Sequence, residues 1–314
     1  MIDNSLKSRL ENQAEVTVHQ NISLSDYTSF KIGGPAAFLV KPDTTKKIAS
    51  ILSVAHKYAV PTLVLGGGTN LLVSDEGFEG LVIAPCLKSI VIDKENDAVE
   101  VGASVGSSEL ALHLIKNALA GLEFAAGLPG TVGGAVAGNA GCFGGSFGDV
   151  LASATVVLSD GQILKVDKRD WFEFGYRHSC LSKIKAVVTS LKFNITDGSQ
   201  ELLNKVAADH LALRAERHPH KRVKTAGSYF KNLPPLLPGQ RRRAAGALLD
   251  QVGAKSMHVG DAAVFEKHAN IVVNMANASA KDVLKLTWNM AKLVKDRFNT
   301  VLVPEVRFIG NPPM

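Results

Sequence analysis

The chain has 314 residues, more than one hydrophobic core usually serves, and 46% of them are hydrophobic, so two or three subdomains are expected. Its 35 basic residues against 29 acidic give a net charge of +6, spread too evenly for a nucleic-acid surface and better suited to an anionic small molecule. No window approaches the roughly 18 to 20 apolar residues of a membrane span, and the N-terminus has no apolar signal core, so a cytoplasmic protein without membrane insertion is expected. Cys86, Cys142 and Cys180 stand far apart without CxxC spacing. They read as reduced core thiols, with neither a disulfide framework nor a zinc site.

Residues 1–20 read as a short polar helix or arm that contributes little. A turn, a Gly-Gly-Pro break and a strand follow over 25–40. Pro42 and Asp43 start a helix with Ile48, Leu52, Ala55 and Tyr58 on one face, ended before Pro61. A strand at 62–65, three glycines at 66–68, and strands at 71–73 and 81–83 complete a small βαββ unit. Strands at 90–92 and 98–101 then lead to a helix that Ser107 caps and Gly121 ends. Beyond a glycine-rich segment, 121–148, a Ser-Asp-Gly hairpin turn joins strands at 155–158 and 162–166, and another strand spans 186–193.

A helix over 201–217 places Leu203, Val206, His210 and Leu213 on one face and stops at Pro219. A basic loop, a turn at 226–232 and a proline-rich turn precede a helix over 241–252, closed by Gly253. Ser279, with the spacing to Asp282 of a capping box, opens a helix that carries Val283, Leu286, Met290, Leu293 and Val294 inward. A strand over 301–309 ends the chain. The expected parts are an arm, 1–20, and units at 21–88, 89–199 and 200–314.

Two stretches stand out for chemistry. Ten of the 28 glycines fall within 121–148, beside Leu128, Val132, Val136, Phe143 and Phe147, a composition that is folded rather than linker-like. The turn Gly66-Gly67-Gly68 lies between apolar strands. Glycines at this density bring bare amides up to a ligand, so the pair suggests one long phosphate-bearing ligand. There is no GxxxxGK[ST], no HExxH and no GxGxxG with an acidic partner, which excludes the common nucleotide and zinc signatures.

Three polar residues are candidates for the reaction. Glu305 lies in the terminal apolar strand on the face of Val301, Val303, Arg307 and Ile309, where it either pairs with Arg307 or another base or serves a site. Arg177, among aromatics at 172–179, suits bidentate capture of a carboxylate, or stacks on Tyr176 or Phe174. Ser228 lines a pocket or forms a turn, and Lys221, Arg222, Lys224 and Lys231 around it suit a phosphate or a solvated loop. Arg241, Arg242 and Arg243 oppose a helix dipole if they form a first turn, and are read as solvent-splayed. The histidines show no metal-ligand spacing.

From about Tyr27 to Gly310 the chain resembles the UDP-N-acetylenolpyruvoylglucosamine reductase family, flavoenzymes of bacterial peptidoglycan precursor synthesis. The likeness rests on TSFKIGG at 28–34, GGGTNLL at 66–72, GLPGTVGG at 127–134 with NAG at 139–141, FGYRHS at 174–179, AGSYFKN at 226–232 and PEV at 304–306. It implies an α+β fold: a two-subdomain FAD-binding unit of the vanillyl-alcohol-oxidase/PCMH type and a C-terminal α+β substrate-binding domain. It implies non-covalent FAD at Gly66, Gly67, Gly68, Thr69, Asn70, Gly130, Thr131, Gly133, Gly134, Asn139 and Gly141.

The same resemblance makes NADPH the reductant and UDP-N-acetylglucosamine enolpyruvate the substrate, held by Tyr176, Lys224, Lys231 and Asn232. Arg177 and Glu305 then stabilise charge at the enolpyruvyl carboxylate, while Ser228 donates a proton to the enolate formed by hydride transfer to the vinyl carbon. A monomer is expected, with no metal and no nucleic-acid partner. Phe143, Ser146 and Leu233 depart from the family's usual Tyr, Glu and Pro, and the short interval from Arg177 to Ser228 resembles the branch without an extra tyrosine-bearing loop. The rival readings are an FAD-dependent oxidase of the same fold and a non-enzymatic sugar-nucleotide sensor.

Overall fold

A computed structural model describes residues 4–311; residues 1–3 of the expected arm and 312–314 lie outside the described residues. The chain forms two compact units interleaved in sequence. The first takes the chain to Ile22, Ala37–Gly67 and Glu79–Arg214, and the second takes Ser23–Ala36, Gly68–Phe78 and the chain from Ala215 onward. The expected divisions at 88/89 and 199/200 both fall inside the first unit.

Among the described residues the first unit has two large hydrophobic cores and a smaller cluster of Ile115, Ala126, Leu203 and Ala207. One lies beneath a four-stranded sheet in the order His19–Ser23, Pro35–Val40, Phe78–Ile83, Thr62–Val64, with the last two strands parallel. The helix Thr45–Lys57 covers it, capped by Thr44, whose hydroxyl accepts from the Lys47 amide. Ile48, Leu52 and Ala55 point inward as expected. The N-terminal helix Asn4–Ala14 corrects the reading of a dispensable arm: its Leu6, Leu10 and Ala14 recur at i, i+4 and i+8 and are buried in this core.

The second core lies against a five-stranded antiparallel sheet, Ile163–Val166, Leu151–Val157, Val187–Asn194, Ala98–Gly102, Ile90–Asp93. Gly161, at φ +93°, makes the expected hairpin turn between the first two. The helix Ser107–Lys116 is capped by Gly106 rather than by Ser107, because the Glu109 carboxylate accepts the Gly106 amide at 3.2 Å. It ends at Asn117, ahead of Gly121, since Leu119–Ala120 leave to pair with Thr196–Asp197.

The helix Gln200–Arg217 buries Leu203 and Ala207 and leaves Val206 and Leu213 exposed, which corrects the expected face. Its contact stripe runs Leu203, Ala207, His210, Arg214, one row round from the expected one. In the second unit, Lys224–Ser228, Ile271–Asn274, Ala262–Val264 and His258–Val259 form an antiparallel sheet. The helices Ala245–Gln251 and Ala280–Phe298 share its core. Ser279 and Asp282 form the expected capping box, and the Asp75 carboxylate accepts from the Ala280 and Lys281 amides at 2.7 and 3.2 Å. Val283, Leu286, Met290 and Val294 are buried; Leu293, expected inward, is 40% exposed.

Leu71–Val73 does not join the expected βαββ unit. It pairs in parallel with Arg307–Ile309, the only part of 301–309 that is strand among the described residues. Pro304, which lacks an N–H, interrupts the rest. Arg241, Arg242 and Arg243 precede their helix instead of forming its first turn. Arg242 donates from Nε and Nη2 to the Asn232 carbonyl at 3.2 and 2.8 Å, and Arg243 donates from Nε to the Pro234 carbonyl, so neither is splayed into solvent.

Candidate functional site

In the first unit the two glycine turns lie against each other. A Cβ on Gly67 would stand 2.8 Å from the Gly130 Cα, and one on Gly66 would stand 2.7 Å from the Thr131 Oγ1. Neither position has room for a side chain. Gly66, Gly67 and Gly134 nevertheless face solvent, so the meeting of the turns presents open, side-chain-free backbone. The amide N–H groups of Gly66 and Gly67 donate to no partner among the described residues. Exposed amides of this kind suit a pyrophosphate, which is the fit that a flavin dinucleotide requires. Thr131 accepts the Gly134 amide and caps the short helix Val132–Ala137, while Gly133 packs against Ala103.

Asn139 and Gly141 have a visible structural task. Asn139 donates from Nδ2 to the Gly175 carbonyl at 2.9 Å and accepts the Gly148 amide at 3.0 Å. Gly175 and His178 close a tight turn with reciprocal backbone bonds of 3.1 and 3.2 Å, leaving Tyr176 and Arg177 at its tip. Arg177 holds φ +52°, a conformation that costs a side-chain-bearing residue and marks a constrained position. Its Nη2 donates to the Gly141 carbonyl at 3.2 Å and its Cζ lies 5.3 Å from the Tyr176 ring centre. The guanidinium therefore lies over the Tyr176 ring, as the stacked reading of Arg177 expects.

Cys142 and Arg214 stand beside this turn, and Arg214 was not singled out by the sequence. Burial pushes the Cys142 thiol up, against the pull of the Arg214 and Arg177 guanidiniums. Burial also lowers the Arg214 pKa. Phe143 stacks face to face on His210 at 4.0 Å, so the glycine-rich segment is backed by the inward stripe of Gln200–Arg217. Cys86, expected in a core, is exposed.

In the second unit the ladder between Lys224–Ser228 and Ile271–Asn274 shifts register between Thr225 and Ser228, with Gly227 at φ +79°. Such a bulge re-aims the next side chain. The half-buried Ser228 hydroxyl has no hydrogen-bond partner among the described residues. Glu305 comes close by in the chain path: its amide donates to the Tyr229 carbonyl at 2.7 Å, and the Lys231 backbone amide donates to the Val303 carbonyl at 2.8 Å. Asn70 spends its side chain on the Glu305 carbonyl at 3.1 Å. Ser29 ties the Gly68 turn to the Ser228 strand through the Gly68 and Thr225 carbonyls, at 3.1 and 2.6 Å.

Ser228 and Glu305 thus belong to one network in the second unit, and Arg177 and Tyr176 belong to the first. Glu305 is half-buried and lies outside any strand, with exposed Val301 and Val303 on its side, so the premise of a carboxylate on an apolar buried face does not hold. Arg307 makes no ion pair with it among the described residues. Lys224 donates to the Ala276 carbonyl at 2.7 Å, and the Asn232 Oδ1 accepts the Ala245 amide at 3.2 Å, anchoring a helix start. No group of three or more metal-ligating side chains occurs among the described residues.

A family profile described as an FAD binding domain matches residues 36–167, and one described as the UDP-N-acetylenolpyruvoylglucosamine reductase C-terminal domain matches 218–309. The chain is 35% identical over 309 residues to the UDP-N-acetylenolpyruvoylglucosamine reductase of Clostridium novyi, covering 98% of this chain and 96% of that one. It is 37% identical over 295 residues to the same enzyme of Lachnoclostridium phytofermentans, with 92% of each covered. Its fold matches the crystal structure of that reductase from Thermus caldophilus with a TM-score of 0.78 at 32% identity, over 94% of this chain and all of the other. The expected α+β architecture, an FAD-binding unit plus a C-terminal domain, is the one found.

Proposed function

The chain belongs to the UDP-N-acetylenolpyruvoylglucosamine reductase family, and from that premise we propose which of its residues carry the reaction. The protein is an FAD-dependent oxidoreductase that reduces UDP-N-acetylglucosamine enolpyruvate to UDP-N-acetylmuramate with NADPH as reductant. An oxidase acting on another substrate leaves the match over residues 218–309 without a purpose. Bound FAD supplies the hydride for the vinyl carbon of the substrate.

The bare backbone of Gly66, Gly67, Gly130 and Gly134 in the first unit would hold its phosphates, because these positions carry no side chain. Ser228 donates the proton to the carbon next to the carboxylate. Its hydroxyl is committed to no other acceptor among the described residues, and an enolate is basic enough to take a proton from so weak an acid. That uncommitted hydroxyl, bulged from its ladder beside the segment that carries Glu305, is the observation on which the residue assignment rests.

Arg177, fixed by the Gly175–His178 turn, compensates charge where it grows, and Glu305 assists at the same carboxylate. Lys224, Lys231, Asn232 and Tyr176 contact the substrate. Lys224 keeps two donors beyond its bond to Ala276, enough for an anionic group. The two hydrophobic cores of the first unit are read as the two cofactor-binding subdomains. A cytoplasmic monomer serving peptidoglycan precursor synthesis suits a chain in which no described helix is long and apolar enough to cross a membrane.

Anaerobic titration of the purified protein tests the function. Its flavin absorbance is expected to bleach with NADPH and to return on addition of UDP-N-acetylglucosamine enolpyruvate. Oxygen consumption with an alcohol, and no return of colour with the enolpyruvyl sugar nucleotide, would overturn the assignment.

A further inference from the structure

The ladder that carries Ser228 ends at the pair Ser228 and Ile271, yet the chain beyond it stays buried, with Tyr229 and Phe230 at 4% and 3% exposure. Backbone groups buried past the end of a ladder need partners from elsewhere. Asn270 supplies them. Its Oδ1 accepts the Phe230 amide at 2.9 Å, its Nδ2 donates to the Phe230 carbonyl at 2.8 Å, and its own carbonyl accepts the Tyr229 amide at 2.7 Å. A carboxamide carries a donor and an acceptor in the geometry of a peptide group, so this side chain continues the sheet where the Ile271–Asn274 strand has already turned away at His268–Ile271.

The other edge of the clamped segment holds Glu305: the Tyr229 carbonyl accepts its amide, and Phe230 bridges to Pro304. Asn270 is itself 2% exposed, and its amide donates to the His268 Nδ1 at 3.2 Å. Among the described residues it makes no hydrogen bond to the Ser228 or Glu305 side chain. It fixes the two residues between them.

We propose that Asn270 is a positioning residue for the proton donor: its carboxamide clamp on Phe230 sets the place of the Ser228 hydroxyl within the second unit. The proposal rests on the reading of Ser228 as proton donor. Asn270→Asp keeps size and the acceptor for the Phe230 amide but turns an oxygen toward the Phe230 carbonyl, so it breaks half of the clamp without opening a cavity. Asn270→Ser shortens the side chain and leaves room for water, and stands in if the Asp protein does not fold.

Two measurements decide the matter. In amide exchange, the peptide that contains Phe230 should lose protection in either variant; unchanged protection removes the clamp. In anaerobic rapid mixing, reoxidation of the reduced protein by the enolpyruvyl sugar nucleotide should slow by about 10- to 100-fold, the usual consequence of misplacement by an ångström, with reduction by NADPH within about twofold of the parent. Added to Ser228→Ala, the Asn270 change should slow reoxidation no further, since both act through one hydroxyl. Slowing that multiplies in the double variant, or equal slowing of both half-reactions, would overturn the positioning role. A Ser228→Ala protein that reoxidises normally would instead strike the Ser228 reading and leave the exchange result standing on its own.

Discussion

Replacing Ser228 by Ala separates chemistry from stability, because the structure gives the two effects very different sizes. The hydroxyl is half-buried and bonds to no described group, so its removal strands no partner. The stability change should stay within about 0.5 kcal/mol, as for substitutions that break no named interaction. For a chain of this length that is a melting shift of no more than about 2 °C. Loss of the proton donor, by contrast, should slow the protonation step by about 10² to 10⁴, or about 2.7 to 5.4 kcal/mol of barrier. Stopped-flow absorbance of the bound flavin under anaerobic conditions reads reduction by NADPH and reoxidation by substrate separately. Reduction should proceed within a few-fold of the parent rate and reoxidation should collapse. Equal slowing of the two, or a large fall in melting temperature with near-normal reoxidation, would make Ser228 a structural residue and refute the reasoning.

Glu305→Gln is nearly isosteric and should preserve the fold, yet cut turnover by about a hundredfold; loss of melting temperature with normal reoxidation would take Glu305 off the reaction. Gly67→Ala forces a methyl against the Gly130 backbone at a spacing of 2.8 Å, and should cost about 1 to 3 kcal/mol and lower the flavin-to-protein ratio of the purified protein. Full flavin content at an unchanged melting temperature would disprove the packing of the two turns.

His268 gives the pH dependence. Burial holds its pKa below the ordinary value of about 6.5, helped by the Lys255 and Arg217 charges and opposed by Asp250, and its Nδ1 must stay unprotonated to accept the Asn270 amide. Below about pH 6.5 the unfolded chain takes up this proton more readily than the folded protein, so stability falls as pH drops from there toward the folded pKa. His268→Asn, which keeps an acceptor without the titration, should flatten that part of a melting-temperature profile; an unchanged slope would count against it.

Local signals in the sequence determined the helix Thr45–Lys57, though Thr44 caps it where Pro42 and Asp43 were expected to start it, the helix Ala280–Phe298 with its cap at Ser279, and the hairpin around Gly161, because periodicity, capping and turn chemistry act within a few residues. The family likeness proposed the flavin-contacting residues and the Arg177, Ser228 and Glu305 candidates by motif. A buried carboxylate on a terminal strand was inferred from alternation alone and failed, since Pro304 broke the strand and left Glu305 half-exposed.

Tertiary structure decided what depends on partners far along the chain. Glu109 made Gly106 the cap in place of Ser107, and the glycine-rich segment selected Ala207 and Arg214 over Val206 and Leu213 as the inward row of their helix. Leu71–Val73 left its neighbours for Arg307–Ile309, more than two hundred positions later. Asn270, just ahead of the apolar run 271–273, carried a weak signal as a polar residue among buried ones, but its role could not be read there. Which backbone groups need a partner is known only once the ladders have formed, and the Phe230 amide and carbonyl were left over by a strand that ends at Ile271.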